Sequence, residues 1–116
     1  MTQFAEKEIV LVYLGNVGSG IVGHEQAMTR PCIIVKNFDI LGLVTVVPLT
    51  SSKPKSDPYF SIVKLNQGTG RLRSDSFVLC HQIRTISTDR INDSLGILPE
   101  KEFYKIQSVL IDILEL

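Results

Sequence analysis

Tryptophan is absent from the sequence, and cysteine, histidine and methionine occur only twice each. Two cysteines cannot form the disulfide framework of a small secreted scaffold, and without a matching histidine cluster they are too few for a zinc site. Each sits in an apolar run, Cys32-Ile33-Ile34-Val35 and Phe77-Val78-Leu79-Cys80, where a reduced cysteine behaves as a small buried hydrophobe. A charge excess of either sign is also missing. Lys plus Arg number 12 against 12 for Asp plus Glu, so the broad positive field of a non-specific nucleic-acid binder is excluded and any polyanion site must be local. No apolar stretch approaches the ~20 residues that cross a bilayer. Met1 to Glu8 carries Glu6, Lys7 and Glu8 in place of a signal-peptide run, so the expectation is a cytoplasmic protein that is not inserted in a membrane. No Ser-His-Asp set, Cys-x-x-Cys pair, paired catalytic carboxylates or Walker loop can be assembled. Most enzyme classes drop out, and neither a metal nor a cofactor is expected.

What is present suits one compact core. The chain has 116 residues, 44% hydrophobic and 21% charged, which predicts a single domain over 1–116. Glu8 to Leu14 is β-branched and aromatic and stops at Gly15-Asn16, so a strand is predicted there. Gly15, Gly18, Gly20 and Gly23 then punctuate a long loop to Thr29. These glycines are not a dinucleotide fingerprint, because they lead to Arg30-Pro31 and a second strand, Pro31 to Val35, instead of opening a helix. In that strand, proline stands at the start, where its missing amide does least harm. Asn37 to Leu41 suggests a turn of helix, and Leu43 to Leu49 a third strand in which Pro48 marks an edge or a bulge. Lys53 to Pro58 reads as a polar loop, Tyr59 to Leu65 as a fourth strand, Asn66 to Gly70 as a turn, and Ser76 to Ile86 as a longer fifth strand turning polar at His81-Gln82. The period then changes. Phe103, Ile106, Leu110, Ile113 and Leu114 recur at helical spacing, with Pro99 suited to the first helical position and Leu98 a poor cap before it. Sparse helix and frequent turns predict a mainly β fold, a small barrel with a C-terminal helix packed on its core.

Polar residues gather at the predicted strand ends: His24, Glu25, Gln26, Thr29 and Arg30 before the second strand, Thr50, Ser51 and Ser52 after the third, and Gln82 with Arg84 in the fifth. Arg30, Thr50, Ser51, Gln82 and Arg84 together supply a fixed cation, hydroxyls and an amide, which suits them to grip a phosphodiester and neutralise charge as it develops. None is a good base. Arginine stays protonated, so removal of a ribose 2′-hydroxyl proton is left between His24 and Glu25, and a lone loop histidine is more often a solvated bystander. Lys53, Lys55, Arg71, Arg73, Arg84 and Arg90 are basic residues available to line one face, and Arg84 serves equally well in a surface or dimer ion pair.

Three blocks, Gly23-His24-Glu25-Gln26-Ala27-Met28-Thr29-Arg30-Pro31, Pro48-Leu49-Thr50-Ser51, and Asp75 to Ile86, resemble the signature blocks of MazF/PemK toxins and occur in the same order. The resemblance runs from about Ile9 to the terminal helix. It implies an SH3-like barrel with a C-terminal helix and a homodimer. It also implies metal-independent cleavage of single-stranded RNA, by 2′-hydroxyl attack that gives a cyclic phosphate and a 5′-hydroxyl, held in check by a cognate antitoxin. Arg30 matches the family's catalytic arginine and Thr50 its catalytic Thr or Ser. His24, Glu25, Gln26, Thr29, Ser51, Ser52, Lys53, Gln82 and Arg84 are the implied RNA contacts, with Gln82 and Arg84 on the strand that contributes to the dimer and the RNA-binding face.

The pattern is not copied throughout. Glu6-Lys7-Glu8 replaces the Arg-Gly-Asp-like segment usual before the first strand, the loop up to Gly23 is a few residues longer, Ala27-Met28 replaces glycines common before the arginine, and His81 stands where an acidic residue is frequent. These departures bear on RNA sequence preference and antitoxin fit. A binding module on the same fold, either an inactive relative or a CcdB-like topoisomerase poison, is the alternative reading, because the fold alone cannot choose between them.

Overall fold

The computed structural model describes residues 4–15 and 29–116. Among the described residues, seven strands and one α-helix follow in order: β1 Glu8–Tyr13, β2 Thr29–Phe38, β3 Leu43–Thr50, β4 Ile62–Leu65, β5 Ser76–Leu79, β6 Arg84–Ser87, β7 Ile91–Ile97 and α1 Glu100–Ile113. The strands are antiparallel in the order β4-β5-β3-β2-β1-β7, with β6 also on β3. The two ends of that path do not pair strand to strand. Instead the turn after β4 reaches β7, where the Arg71 amide donates to the Leu95 carbonyl at 2.8 Å, and the sheet curls into a small barrel.

Period-2 alternation divides the core in two. Ile9, Ile33, Val47, Leu49 and Val78 face one side, covered by Phe103, Ile106 and Leu110 of α1. Val10, Val12, Cys32, Ile34, Val44, Val46 and Ile86 face the other. At roughly 1.5–3 kcal/mol per fully buried large aliphatic side chain, this alternation decides which residues of β1, β2 and β3 point each way.

Several elements differ from the sequence expectation, each for a local reason. Tyr59 and Phe60 are exposed and precede β4, because the Asp57 carboxylate accepts from the Ser61 and Ile62 amides (2.7 and 3.2 Å) and from Ser61 Oγ (3.2 Å), holding a turn in which Phe60 has φ 52°. That turn is tied to the fifth segment by a 2.8 Å hydrogen bond between Ser61 Oγ and His81 Nδ1. The stretch Ser76 to Ile86 is not one strand. A 3-10 turn at Cys80–Gln82 splits it, so β5 and β6 pair with different parts of β3. Pro48 is neither at an edge nor at a bulge; it faces Cys32 on β2 and lies in the gap where β3 passes from β6 (Leu43–Val46) to β5 (Leu49, Thr50), so its missing amide breaks no ladder there. Pro31 lies inside β2 opposite Leu11, before the β2–β3 register begins at Cys32. Asn37 and Phe38 extend β2, leaving the predicted helical turn to Asp39–Leu41. Pro99 caps α1 from outside in place of opening it, its carbonyl accepting from the Phe103 amide at 3.0 Å. Leu114 is the helix's C-cap and is exposed. β7 was not anticipated, because Asn92, Asp93, Ser94 and Gly96 make it too polar to read as a strand.

The Asn66–Leu72 turn is intolerant at one glycine. Gly70 has φ +55°, and a Cβ there would lie 2.8 Å from the Leu95 carbonyl oxygen and 2.9 Å from Ile9 Cδ1. Gly42 has φ +67° with nothing within 4 Å. Gly42→Ala is therefore expected to cost about 1 kcal/mol of backbone strain, and Gly70→Ala to cost several kcal/mol more by pushing β7 off the turn. Urea unfolding of the two variants checks the order.

Candidate functional site

At one end of the barrel, β2 and β3 run past their paired region. Cys32 faces Pro48 and Ile34 faces Val46, so the same register carried forward sets Pro31 beside Leu49 and Arg30 beside Thr50. Arg30 is also fixed from the other side, opposite Val12 on β1. A cleft of about 650 Å³ opens at this end, and Arg30, Thr50 and Ser51 all line it. Thr50 Oγ1 accepts from the Ser52 amide at 3.2 Å, which leaves the hydroxyl hydrogen to be donated elsewhere.

Two more guanidinium groups reach the cleft, from Arg71 and Arg73 in the turn before β5. Arg71 is held to β7 through its backbone amide on Leu95 and through Nη2 on the Ser94 carbonyl. Three arginines, with hydroxyls at Thr50, Ser51, Ser74 and Ser76, surround a cleft whose only carboxylate among the described residues is Asp93. Such a set favours a phosphodiester, since planar guanidinium forks bind phosphate oxygens in pairs. A second cleft, of about 360 Å³, holds His81 and Tyr59 beside Asp112 and Glu115 and none of these arginines, which disfavours phosphate there.

The structure thus brings together Arg30, Thr50 and Ser51. Ser52 and Lys53 follow them in an exposed loop outside the cleft lining, and Thr29 is exposed opposite Tyr13 on β1. Gln82 lies in the 3-10 turn, away from the cleft. Arg84 stands opposite Val46, on the face of the sheet that carries Cys32, and its charge acts on the Cys32 thiol. His24, Glu25 and Gln26 lie outside the described residues. Arg71 and Arg73 were legible only as basic residues of one face, and Asp93 gave no signal because its strand was not recognised. Among the described residues no group of three or more His, Cys, Asp or Glu side chains is placed to hold a metal ion, and no helix is long and apolar enough to cross a membrane.

Comparison with known proteins places the chain in a family. The family model described as PemK-like, MazF-like toxin of type II toxin-antitoxin system matches residues 6–114. The chain belongs to this family. Among curated proteins, this PemK/MazF-family chain is similar to endoribonuclease EndoA of Bacillus subtilis, 29% identical over 104 residues, with 85% of the chain and 86% of the relative covered. Among solved structures, MazF from Deinococcus radiodurans superposes with a TM-score of 0.79 at 21% identity, each chain covered completely. An endoribonuclease from a mycobacterial species, solved in complex with its cognate antitoxin, superposes with a TM-score of 0.72 at 21% identity, covering 98% of this chain and 97% of the other.

The cysteines of this PemK/MazF-family protein are core residues. Both are free and buried, and burial pushes each thiol from 9.0 up to about 12, with Arg84 pulling Cys32 slightly back and Asp57 pushing Cys80 further up. Because the folded values lie above the unfolded one, this contribution to stability is complete below pH 9 and is lost as pH climbs towards 12. Alkylation by iodoacetamide at about pH 8 is expected to be at least about a hundredfold slower in the native protein than in denaturant. Fast native labelling of either thiol would contradict this placement.

Proposed function

We propose that the protein is the toxin of a type II toxin–antitoxin pair, a sequence-specific endoribonuclease that cuts single-stranded RNA without a metal ion. The observation that carries this reading is the convergence of Arg30 and Thr50, on adjacent strands, in a cleft that also holds Arg71 and Arg73. The relative from Bacillus subtilis and the mycobacterial neighbour, both named endoribonucleases, support it.

In this mechanism Arg30 holds the non-bridging oxygens of the scissile phosphate and Thr50 donates a hydrogen bond to the same group. The ribose 2′ oxygen attacks phosphorus and loses its proton, a P–O2′ bond forms, and the bond to the 5′ oxygen breaks. The products are a 2′,3′-cyclic phosphate and a 5′ hydroxyl, the 5′ oxygen taking up one proton. Negative charge grows on the phosphoryl oxygens as the pentacoordinate state forms, and preorganised cations are worth most at that moment. Arg30, which stays protonated, stabilises this charge through its N–H donors.

The whole chain, 1–116, acts as one domain in a cytoplasmic homodimer. The antitoxin is a small protein whose acidic tail folds over the arginine-lined cleft and covers it, a partner consistent with the antitoxin-bound mycobacterial neighbour. Of the remaining proposed RNA contacts, Ser51 lines the cleft, Thr29, Ser52, Lys53, Gln82 and Arg84 serve more distant nucleotides, and His24, Glu25 and Gln26 complete the set.

Arg30→Ala and Thr50→Ala are each expected to lower RNA cleavage by at least about a hundredfold, the scale of losing one oxyanion donor, with an unchanged circular dichroism spectrum and unfolding midpoint. Full activity in either variant would remove the basis of the proposal.

A further inference from the structure

Asp93 is out of place in a phosphate-binding cleft. It is exposed on β7, opposite Leu11, and among the described residues it forms no ion pair although three arginines line the same cleft; its Oδ1 accepts from the adjacent Ser94 amide at 2.8 Å. A carboxylate aimed into such a cleft repels phosphate. It attracts N–H donors instead, and the N–H donors of RNA are the base amino and imino groups.

Position separates Asp93 from the reacting atoms. The sheet aligns Pro31, Leu11 and Asp93 across β2, β1 and β7, and the β2–β3 register carried one residue past Cys32 and Pro48 adds Leu49, all lining the cleft. Three inter-strand steps of about 4.8 Å make up to about 14 Å between the Thr50 end of β3 and Asp93. That spacing sets Asp93 nearer a flanking nucleotide than the 2′ hydroxyl held at Thr50. Arg71, pinned to Ser94 and Leu95 next to Asp93, supplies a cation where the backbone of a neighbouring nucleotide would pass.

We infer that Asp93 is a specificity-determining residue, accepting a hydrogen bond from the amino or imino edge of a base one or two nucleotides from the cut. The inference rests on the ribonuclease reading and adds a base-reading role that the arginines cannot fill. Single-stranded RNA exposes its base edges, so one fixed carboxylate beside a phosphate clamp discriminates at one position. Uracil offers only its imino group, whereas cytosine, adenine and guanine offer an amino group, and discrimination among them is expected at about tenfold to hundredfold for that position.

The test maps every cut made by the wild-type protein, Asp93→Asn and Asp93→Ala on one long RNA of mixed sequence, with single-turnover rates on matched oligonucleotides. Wild type is expected to show a base preference at one flanking position. Asp93→Ala flattens it by about tenfold or more while cutting the least favoured sequences within a few-fold of the wild-type rate, and Asp93→Asn, which keeps an acceptor but adds donors, shifts the preferred base. An identical cut pattern in all three proteins overturns the inference, as does a uniform loss of rate at every site, which would make Asp93 structural. Intact RNA with the wild-type protein would instead sink the ribonuclease reading itself.

Discussion

The register between β2 and β3 is the constraint on which the rest depends. Pairing Ile34 with Val46, Ile33 with Val47 and Cys32 with Pro48 buries Ile33 and Val47 under α1 and places Cys32, Ile34 and Val46 in the opposite half of the core. A slip of one residue would turn every one of these side chains to the wrong half, so the apolar pattern locks the register firmly. The same register, carried two residues past its last pair, sets Arg30 beside Thr50. The hydrophobic core thus sets which strand positions meet at the polar site.

The second requirement is that the ends of the strand path meet. β4 and β7 do not pair, and the turn at Asn66–Leu72 fills the gap by docking Arg71 onto Ser94 and Leu95. One structural bridge therefore also delivers cations to the cleft. The close contact at Gly70 and the clamp at Arg71 are parts of the same turn, so fold stability and the electrostatics of the site are coupled at this end of the barrel.

Legibility in the sequence followed physical cause. β1, β2, β3 and α1 were readable because apolar periodicity forms them, and Arg30 with Thr50 because they flank those strands in recognisable blocks. β7 was not readable, because a strand with Asn92, Asp93 and Ser94 in succession shows no apolar alternation that separates it from a loop. The break at Cys80–Gln82 was also hidden, since β-rich residues continue on both sides and only the choice of partner on β3 interrupts them. Arg71, Arg73 and Asp93 reach the cleft through that unread strand and the turn docked on it, which is why the site appeared smaller in sequence than in space.

The central claim is that this cleft drives attack by a ribose 2′ oxygen on the adjoining phosphate. The most direct measurement incubates the protein, in excess EDTA, with a single-stranded RNA containing one mapped cut, and with the same RNA carrying 2′-deoxyribose only at the nucleotide 5′ to that cut. The account predicts a cyclic phosphate and a 5′ hydroxyl at the cut in the first, and no cleavage there in the second. Cleavage that survives the single deoxy substitution, or ends bearing a 5′ phosphate, would contradict it.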